Sequence, residues 1–287
     1  MALTYKIAQL IKSLRIKEWR VYVGLSLFGL AFGSSDFFIF IKGLFKLIPL
    51  IFFYMSIAYL TNNIFDAEGD SLNLRKRDKN PFAQKLLKAR EGLLFLAVLV
   101  SSAIILALLV YDLAGLINYL IGLFLVIFYS MPPLRFKEKP FIDLLSHSLF
   151  FGVTIFLLGY FIVSRDIFVD AFLLLGIVVY SIQLELRNEI EDFHADFSAG
   201  YKTTAVYLGF KKSNVLLIII SSLLVIISIL VLKNQGVSFL LSLIPLVLIP
   251  AFSTAKIEYN VRMRIIDAYV IIFSLLILLL KHSIFWQ

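Results

Sequence analysis

The sequence contains no cysteine. That excludes a disulfide framework, thiolate catalysis and any metal centre built on sulfur. Histidine is almost as scarce: three residues with no paired-His spacing, so a zinc site built on imidazole is not expected. Charge is thin too. Only 16% of residues are charged, against about a quarter in an ordinary soluble domain. What fills the space is apolar: 61% hydrophobic residues and a mean hydropathy of +0.94. Together these exclude an intrinsically disordered chain, a secreted disulfide scaffold and a nucleic-acid binder. They identify an integral membrane protein, which the apolar runs below make all-α and polytopic. The net charge of +8 is read as basic cytoplasmic loops rather than as a surface for a polyanion.

A membrane-crossing helix needs about 20 mostly apolar residues. Nine stretches of 287 residues qualify, near 21–35, 44–65, 92–111, 113–131, 143–163, 168–187, 213–232, 237–254 and 265–285. The first is short, and the fourth and eighth carry helix breakers. Before them, residues 1–19 place Leu3, Ile7, Leu10 and Leu14 on one helical face, with Lys6, Lys12, Arg15 and Lys17 interspersed. This reads as an amphipathic helix on the membrane surface. A cleaved signal peptide is not expected, because no small-residue cleavage site follows the first apolar run. With the N-terminus in the cytoplasm, only Lys42, Lys46, Arg165, Lys233 and Lys281 of the 27 Lys and Arg fall outside the inner loops. That bias predicts N-in, C-out and an odd number of spans. No loop is long enough for a separate domain, so chemistry must come from helix ends and short loops.

Two segments resemble each other. Asn62-Asn63-Ile64-Phe65-Asp66-Ala67-Glu68-Gly69-Asp70 ends the second span, and Asn188-Glu189-Ile190-Glu191-Asp192-Phe193-His194-Ala195-Asp196 ends the sixth. The Asn, Ile and two Asp positions match one for one. The reading is an internal repeat, halves near 15–131 and 143–254, followed by a final helix near 265–285, all in a single domain. Helical spacing places Asn62, Asn63, Asp66 and Asp70 along one face, and Glu189, Asp192 and Asp196 along another. Two facing acidic helix ends repel unless a cation sits between them. With only oxygen ligands on offer, Mg²⁺ is the natural ion, held by one or two carboxylates plus substrate phosphates. The arrangement points to a diphosphate held by two Mg²⁺ ions. A solvated helix end is the plainer reading of either segment alone; two matched segments on one side argue for function. A secondary transporter with acidic ion sites on repeated helices is the alternative. Against it, both motifs sit at one membrane face rather than at the midplane.

The motif Asn62-Asn63-x-x-Asp66-x-x-x-Asp70 resembles the first aspartate-rich motif of the UbiA superfamily of intramembrane prenyltransferases. Glu189-x-x-Asp192-x-x-x-Asp196, followed by Gly200 and Lys202-Thr203-Thr204, resembles the second. The stretch Tyr129-Ser130-Met131-Pro132-Pro133-Leu134-Arg135-Phe136-Lys137, with Pro140 and Asp143, resembles the loop after that family's fourth helix. Arg15 and Trp19 occupy the family's positions before the first span. Two departures stand out: Asn63 where the family has Asp, and Glu189 where it has Asp. Both still offer an oxygen to a metal or its water. The resemblance implies nine transmembrane helices around a central cavity. It also implies Mg²⁺-dependent transfer of a polyprenyl group from an isoprenyl diphosphate donor to a lipophilic acceptor, at a site facing the cytoplasm. The stretch from Ala199 to Ala205 and the Pro132-Pro133 loop look somewhat like the carotenoid-elongating branch.

On this reading Asp66, Asp70, Asp192 and Asp196 are the catalytic carboxylates. With Asn63 and Glu189 they form the metal set. Asn62, Asn63, Arg75, Arg135, Lys137 and Lys202 bind the diphosphate, with Lys76, Arg77 and Lys79 as further basic candidates. Ionising the allylic diphosphate produces a cation that water would quench, so the cavity must be dry. Tyr59, Tyr129, Tyr160 and Tyr180 lie on or near the motif-bearing spans and could offer aromatic faces to it. Packing or interface anchoring is the commoner role for each. Three further residues are ambiguous. His194 sits at a non-matching position of the second motif. Asp143 and His147 are four residues apart, as an acceptor-side pair or a polar helix start. Glu185, one turn before Glu189, lines the cavity or acts as a base.

Overall fold

The computed structural model describes residues 2–72, 74–249 and 258–284, with the backbone alone at residues 2, 3, 74, 75, 283 and 284. Among these residues every regular element is helical. In chain order the helices are α1 (Ala2–Ser13), α2 (Arg20–Gly33), α3 (Phe37–Phe65), α4 (Ala67–Leu72), α5 (Leu74–Arg77), α6 (Ala89–Val110) and α7 (Leu113–Ser130). They continue as α8 (Ile142–Tyr160), α9 (Ala171–Glu191), α10 (Phe193–Ala199), α11 (Thr204–Leu208), α12 (Phe210–Asn234), α13 (Phe239–Ser242) and α14 (Tyr259–Ile284).

Among the described residues, seven helices, α3, α6, α7, α8, α9, α12 and α14, are long and apolar enough to cross a bilayer. The outer faces carry exposed Phe, Leu and Ile such as Phe45, Leu109, Ile121 and Leu279, as a lipid-facing surface requires. The protein is therefore a multi-pass membrane protein. Two shorter apolar helices, Arg20–Gly33 and Phe239–Leu248, fall where the first and eighth spans were expected. The eighth expected span runs on into residues 250–254, outside the described residues, as does residue 285 of the ninth.

The N-terminal segment departs from the single amphipathic helix read from its periodicity. α1 stops at Ser13 because Arg15 takes a left-handed conformation, φ 53° and ψ 39°. The chain then turns through a short 3₁₀ helix, Ile16–Glu18. Leu14 and Trp19 go into the core, and the Trp19 indole N–H donates to the Leu14 carbonyl at 2.9 Å. Tyr5, Ile7 and Ile11 stay exposed.

The helix caps explain where several spans start. Asp36, Asp112 and Asp170 each accept backbone N–H bonds from the first turn they precede, satisfying donors that a helix start leaves bare. α2 crosses α8 at unusually short range. A Cβ on Gly29 would lie 1.9 Å from the Phe156 carbonyl oxygen, and one on Gly159 would lie 2.0 Å from that of Ser26. Small residues let membrane helices approach this closely. The core forms two clusters, one dominated by α3, α6 and α7 and the other by α9, α12 and α14, joined through α2 and α8. Within α8, residues Ser148–Val153 form a π-helical turn.

Candidate active site

Both aspartate-bearing segments fold in the same way. α3 ends at Phe65, and Asp66 takes the break, φ −102° and ψ 2°, its N–H bonded to the Asn62 carbonyl at 2.9 Å. α4 starts at once, with Asp70 N–H on the Asp66 carbonyl at 2.8 Å. Likewise α9 ends at Glu191, and Asp192 takes the break, φ −93° and ψ 1°, bonded to the Asn188 carbonyl at 2.9 Å. α10 follows, with Asp196 N–H on the Asp192 carbonyl at 2.9 Å. Each kink turns a carboxylate off the span's end and sets the next one a turn further on. A matched pair of basic turns accompanies them. Arg15-Ile16-Lys17-Glu18 and Arg135-Phe136-Lys137-Glu138 both open with a left-handed Arg, which pairs with the Glu three residues on.

The two kinks face one cavity. It is lined by Asn62, Asp66, Asp70, Lys76, Tyr129, Lys137, Glu138, Glu185, Asn188, Glu189, Asp192, Asp196, Tyr201 and Thr203. It is small, about 130 Å³. Beside it, a wider recess of about 350 Å³ shares Asp70, Lys76, Asp196 and Tyr201.

Cations hold the carboxylates in place. The Lys76 ammonium lies 3.0 Å from Asp192 Oδ2 and 3.3 Å from Asp196 Oδ1. Lys137 ion-pairs with Asp66, and Arg135 Nη2 is 3.5 Å from the same oxygen. Arg135 also donates to Glu138 at 2.6 Å and to the Phe65 carbonyl at 3.3 Å, so it satisfies the end of α3 as well. Asn62 donates to Asp66 Oδ2 at 2.6 Å and to Ser130 at 3.3 Å. Burial pushes the Asp70 carboxyl above the ordinary range, opposed by the hydrogen bond from Asn80 and reinforced by the Asp66 charge. Burial does the same to Asp196, opposed by Lys76 and reinforced by Asp192. Lys76 is held well above the usual lysine range because Asp196 and Asp192 outweigh its burial. Among the described residues, no three His, Asp or Glu side chains already form a metal cage; Asp66 leans towards Lys137, Asp70 towards Asn80, and Asp192 and Asp196 towards Lys76.

The other expected residues are distributed as follows. Glu189 lines the cavity. Its Oε2 accepts from the Ala205 N–H at 2.9 Å, and its carboxyl group also meets that of Asp143. Asn63 is fully buried and does not line the cavity; its amide donates to the Ser13 carbonyl at 2.6 Å and fastens α3 to the N-terminal segment. Lys202 is exposed and outside the cavity lining. The Arg75 side chain lies outside the described residues; the neighbouring Lys76 makes the ion pairs. Of the four tyrosines, only Tyr129 reaches the cavity. Asp143 and His147 do not pair with each other. Asp143 accepts from the Thr204 N–H at 2.6 Å and hydroxyl at 2.5 Å, whereas His147 lies 3.3 Å from Glu185. His194 is exposed and packs against Phe193 and Phe210.

Two residues were not anticipated. Asn80 is fully buried and donates to Asp70 Oδ2 and to the Asn63 carbonyl, both at 2.9 Å. Its own oxygen accepts from the N–H groups of Phe82 and Ala83. In the sequence Asn80-Pro81 looks like an ordinary turn. Tyr201 lies against Gly69, where a Cβ would sit 1.7 Å from its hydroxyl. Arg135 and Lys137 face its ring at 5.8 and 5.5 Å, and its phenol is pushed up to about 12, mainly by burial. Only the neighbouring Gly200 and Lys202 hinted at a functional loop there.

The family model described as the UbiA prenyltransferase family matches residues 22–278 of the chain. A lycopene elongase/hydratase of Haloarcula japonica is 31% identical over 167 residues, 55% of this chain and 54% of the relative. The match thus spans about half of that relative's length. A lycopene elongase/hydratase of Corynebacterium glutamicum is 29% identical over 69% of this chain and 70% of its own length. In fold, the chain is similar to a UbiA homolog from Archaeoglobus fulgidus bound to GPP and Mg²⁺, with a TM-score of 0.71 and 17% identity. That likeness covers 97% of this chain and 100% of the other.

Proposed function

The chain belongs to the UbiA prenyltransferase family, and from that premise we propose that it transfers a short prenyl group from an allylic diphosphate to an apolar polyene. The observation that carries this reading is the pair of kinks that bring Asp66, Asp70, Asp192 and Asp196 to one cavity together with Lys76 and Lys137. The relatives named lycopene elongase/hydratase supply the acceptor class. The fold neighbours bound to GPP or to DMAPP, each with Mg²⁺, supply the donor class and the metal.

The donor set fits Mg²⁺. It consists of hard carboxylate oxygens gathered on one cavity. Asp66, Asp70, Asp192, Asp196 and Glu189 would hold the ions. Bound there, Mg²⁺ supplies electrophilic neutralisation of the diphosphate leaving group. Lys76, Lys137 and Arg135 offer N–H donors to the phosphate oxygens. Asn62 and Asn80 orient Asp66 and Asp70 by direct hydrogen bonds. Tyr201 covers the first motif at Gly69 and keeps bulk water from the ionising C–O bond. Asn63 acts as a strut between α3 and the N-terminal segment rather than as a ligand.

The basic bias of the loops supports a site at the cytoplasmic face, with the N-terminus inside. Among the described residues, the short apolar helices Arg20–Gly33 and Phe239–Leu248, added to the seven long ones, support the nine-helix reading. The two matched kinks and matched Arg-x-Lys-Glu turns support one domain built from an internal repeat. The test is a product assay. Purified chain, dimethylallyl diphosphate, lycopene and Mg²⁺ should release diphosphate and form a longer polyene, with neither product in EDTA. Diphosphate release without any coupled lipid, across carotenoid and aromatic acceptors, would overturn the acceptor class.

A further inference from the structure

Below the aspartates lies a second polar group that neither metal nor diphosphate needs. Glu185 is one helical turn before Glu189 on α9, about 6 Å deeper along the axis, and lines the same cavity. Its side chain is 14% exposed. Three groups hold it. The Tyr129 hydroxyl donates to Oε1 at 2.6 Å, Asn188 donates to Oε2 at 3.3 Å, and His147 Nε2 lies 3.3 Å from Oε2. His147 is fixed in turn by Ser181 at 3.2 Å, through its other ring nitrogen. It sits at the start of the π-helical turn, among the rings of Tyr22, Tyr129, Phe150 and Phe151. π-Helical turns recur at functional sites, and a carboxylate at this depth is costly unless it serves a purpose.

Resting on the prenyltransferase reading above, we infer that Glu185 takes the proton that ends the reaction, with Tyr129 and His147 positioning it. The electron balance is as follows. The donor C1–O bond breaks and its pair leaves with the diphosphate. A C=C pair of the acceptor forms the new C–C bond to C1, leaving a cation on the acceptor. An adjacent C–H bond then breaks. Its electrons become a new C=C, and its proton goes to a Glu185 carboxylate oxygen. Such a C–H is so acidic that a strong base is not required; a carboxylate oxygen held in place by Tyr129 and His147 suffices. The other acids around the cavity have different tasks. Glu138 is tied to Arg135, Glu189 to Ala205, Asp70 to Asn80, Asp66 to Lys137, and Asp192 and Asp196 to Lys76.

The test uses the full chain with Mg²⁺, labelled dimethylallyl diphosphate and lycopene. It reads diphosphate release and the ratio of coupled alkene to alcohols, counting free prenyl alcohol and hydrated coupled product together. Glu185→Gln should lower diphosphate release far less than it lowers the alkene-to-alcohol ratio. The alkene-to-alcohol ratio should fall on the order of 100-fold, the range of a lost general base, as water captures the cation. Tyr129→Phe should lower the ratio about tenfold, and Glu185→Asp should restore part of it. Should Glu185→Gln fail to fold, the ratios in Tyr129→Phe and Glu185→Asp decide, and unchanged ratios refute the role. An unchanged ratio in Glu185→Gln, a parallel loss of diphosphate release, or a wild-type chain that makes only hydrated product also overturns it. A wild-type chain that releases no diphosphate at all overturns instead the reading on which it rests.

Discussion

Lys76 is the cation whose removal separates this site from a merely acidic helix end. Its ammonium bridges Asp192 at 3.0 Å and Asp196 at 3.3 Å, and its side chain is 30% exposed. Lys76→Gln keeps a polar side chain and deletes the charge. Two opposite effects follow. The diphosphate loses one charge-assisted hydrogen bond, about 2 kcal/mol, which corresponds to a loss of about 30-fold in kcat/KM for the donor. Meanwhile Asp192 and Asp196 lose the positive group that competes with a metal for their oxygens. The Mg²⁺ concentration giving half-maximal activity should therefore fall several-fold. The assay is diphosphate release against donor concentration at saturating Mg²⁺, then against Mg²⁺ at saturating donor. A damaged fold would weaken both affinities together. If donor kcat/KM stays within threefold of wild type, or if the Mg²⁺ requirement rises, the proposed double role of Lys76 is refuted.

Asp66→Asn and Asp192→Asn should each lower diphosphate release on the order of 10³-fold, the scale of losing metal-assisted charge neutralisation, with melting temperatures close to wild type in EDTA; normal turnover in either refutes the site. Asn80→Ala breaks four hydrogen bonds in a fully buried setting, one of them to a carboxylate. It should cost about 3 kcal/mol of stability, read by thermal or denaturant unfolding in detergent, and a cost below about 1 kcal/mol would show that water replaces the amide. The buried carboxyls of Asp70 and Asp196 have folded-state pKa values raised above 3.8. Their contribution to stability is therefore full below the unfolded value and is lost as pH rises through the folded one. In EDTA the melting temperature should thus rise as pH falls through those raised folded-state values. Glu18, whose pKa is lowered from 4.5 because Lys79 and Arg15 outweigh its burial, opposes this trend only in stronger acid. Added Mg²⁺ should stabilise more at pH 7.5 than at pH 5; a melting temperature that drops steadily on acidification refutes the assignment.

The helices were legible because bilayer hydrophobicity leaves little choice. A run of apolar residues long enough to cross must satisfy its own backbone, and only a helix does so within one segment. The two aspartate motifs were legible because their spacing follows the helical period and one copy vouches for the other. The lysine that pairs with the second motif was harder to find. Lys76 sits among Arg75, Arg77 and Lys79, and a basic run after a span is expected from topology alone. Asn80 carries no signal at all. Its importance arises from complete burial beside Asp70 and the Asn63 carbonyl, which a linear pattern does not encode.

The sequence alone determined the solvent in which this chain folds, the long apolar helices and the two carboxylate sets, since composition, run length and helical period are local properties. Tertiary structure decided which side chains share the cavity. Asn62 and Asn63 are neighbours in sequence, yet about 100° of helix rotation sends one to Asp66 and the other to the N-terminal segment. Asp143 and His147 are a turn apart, yet one is claimed by Thr204 and the other by Glu185. Partners that come from distant helices are set by packing, and packing depends on the whole bundle at once.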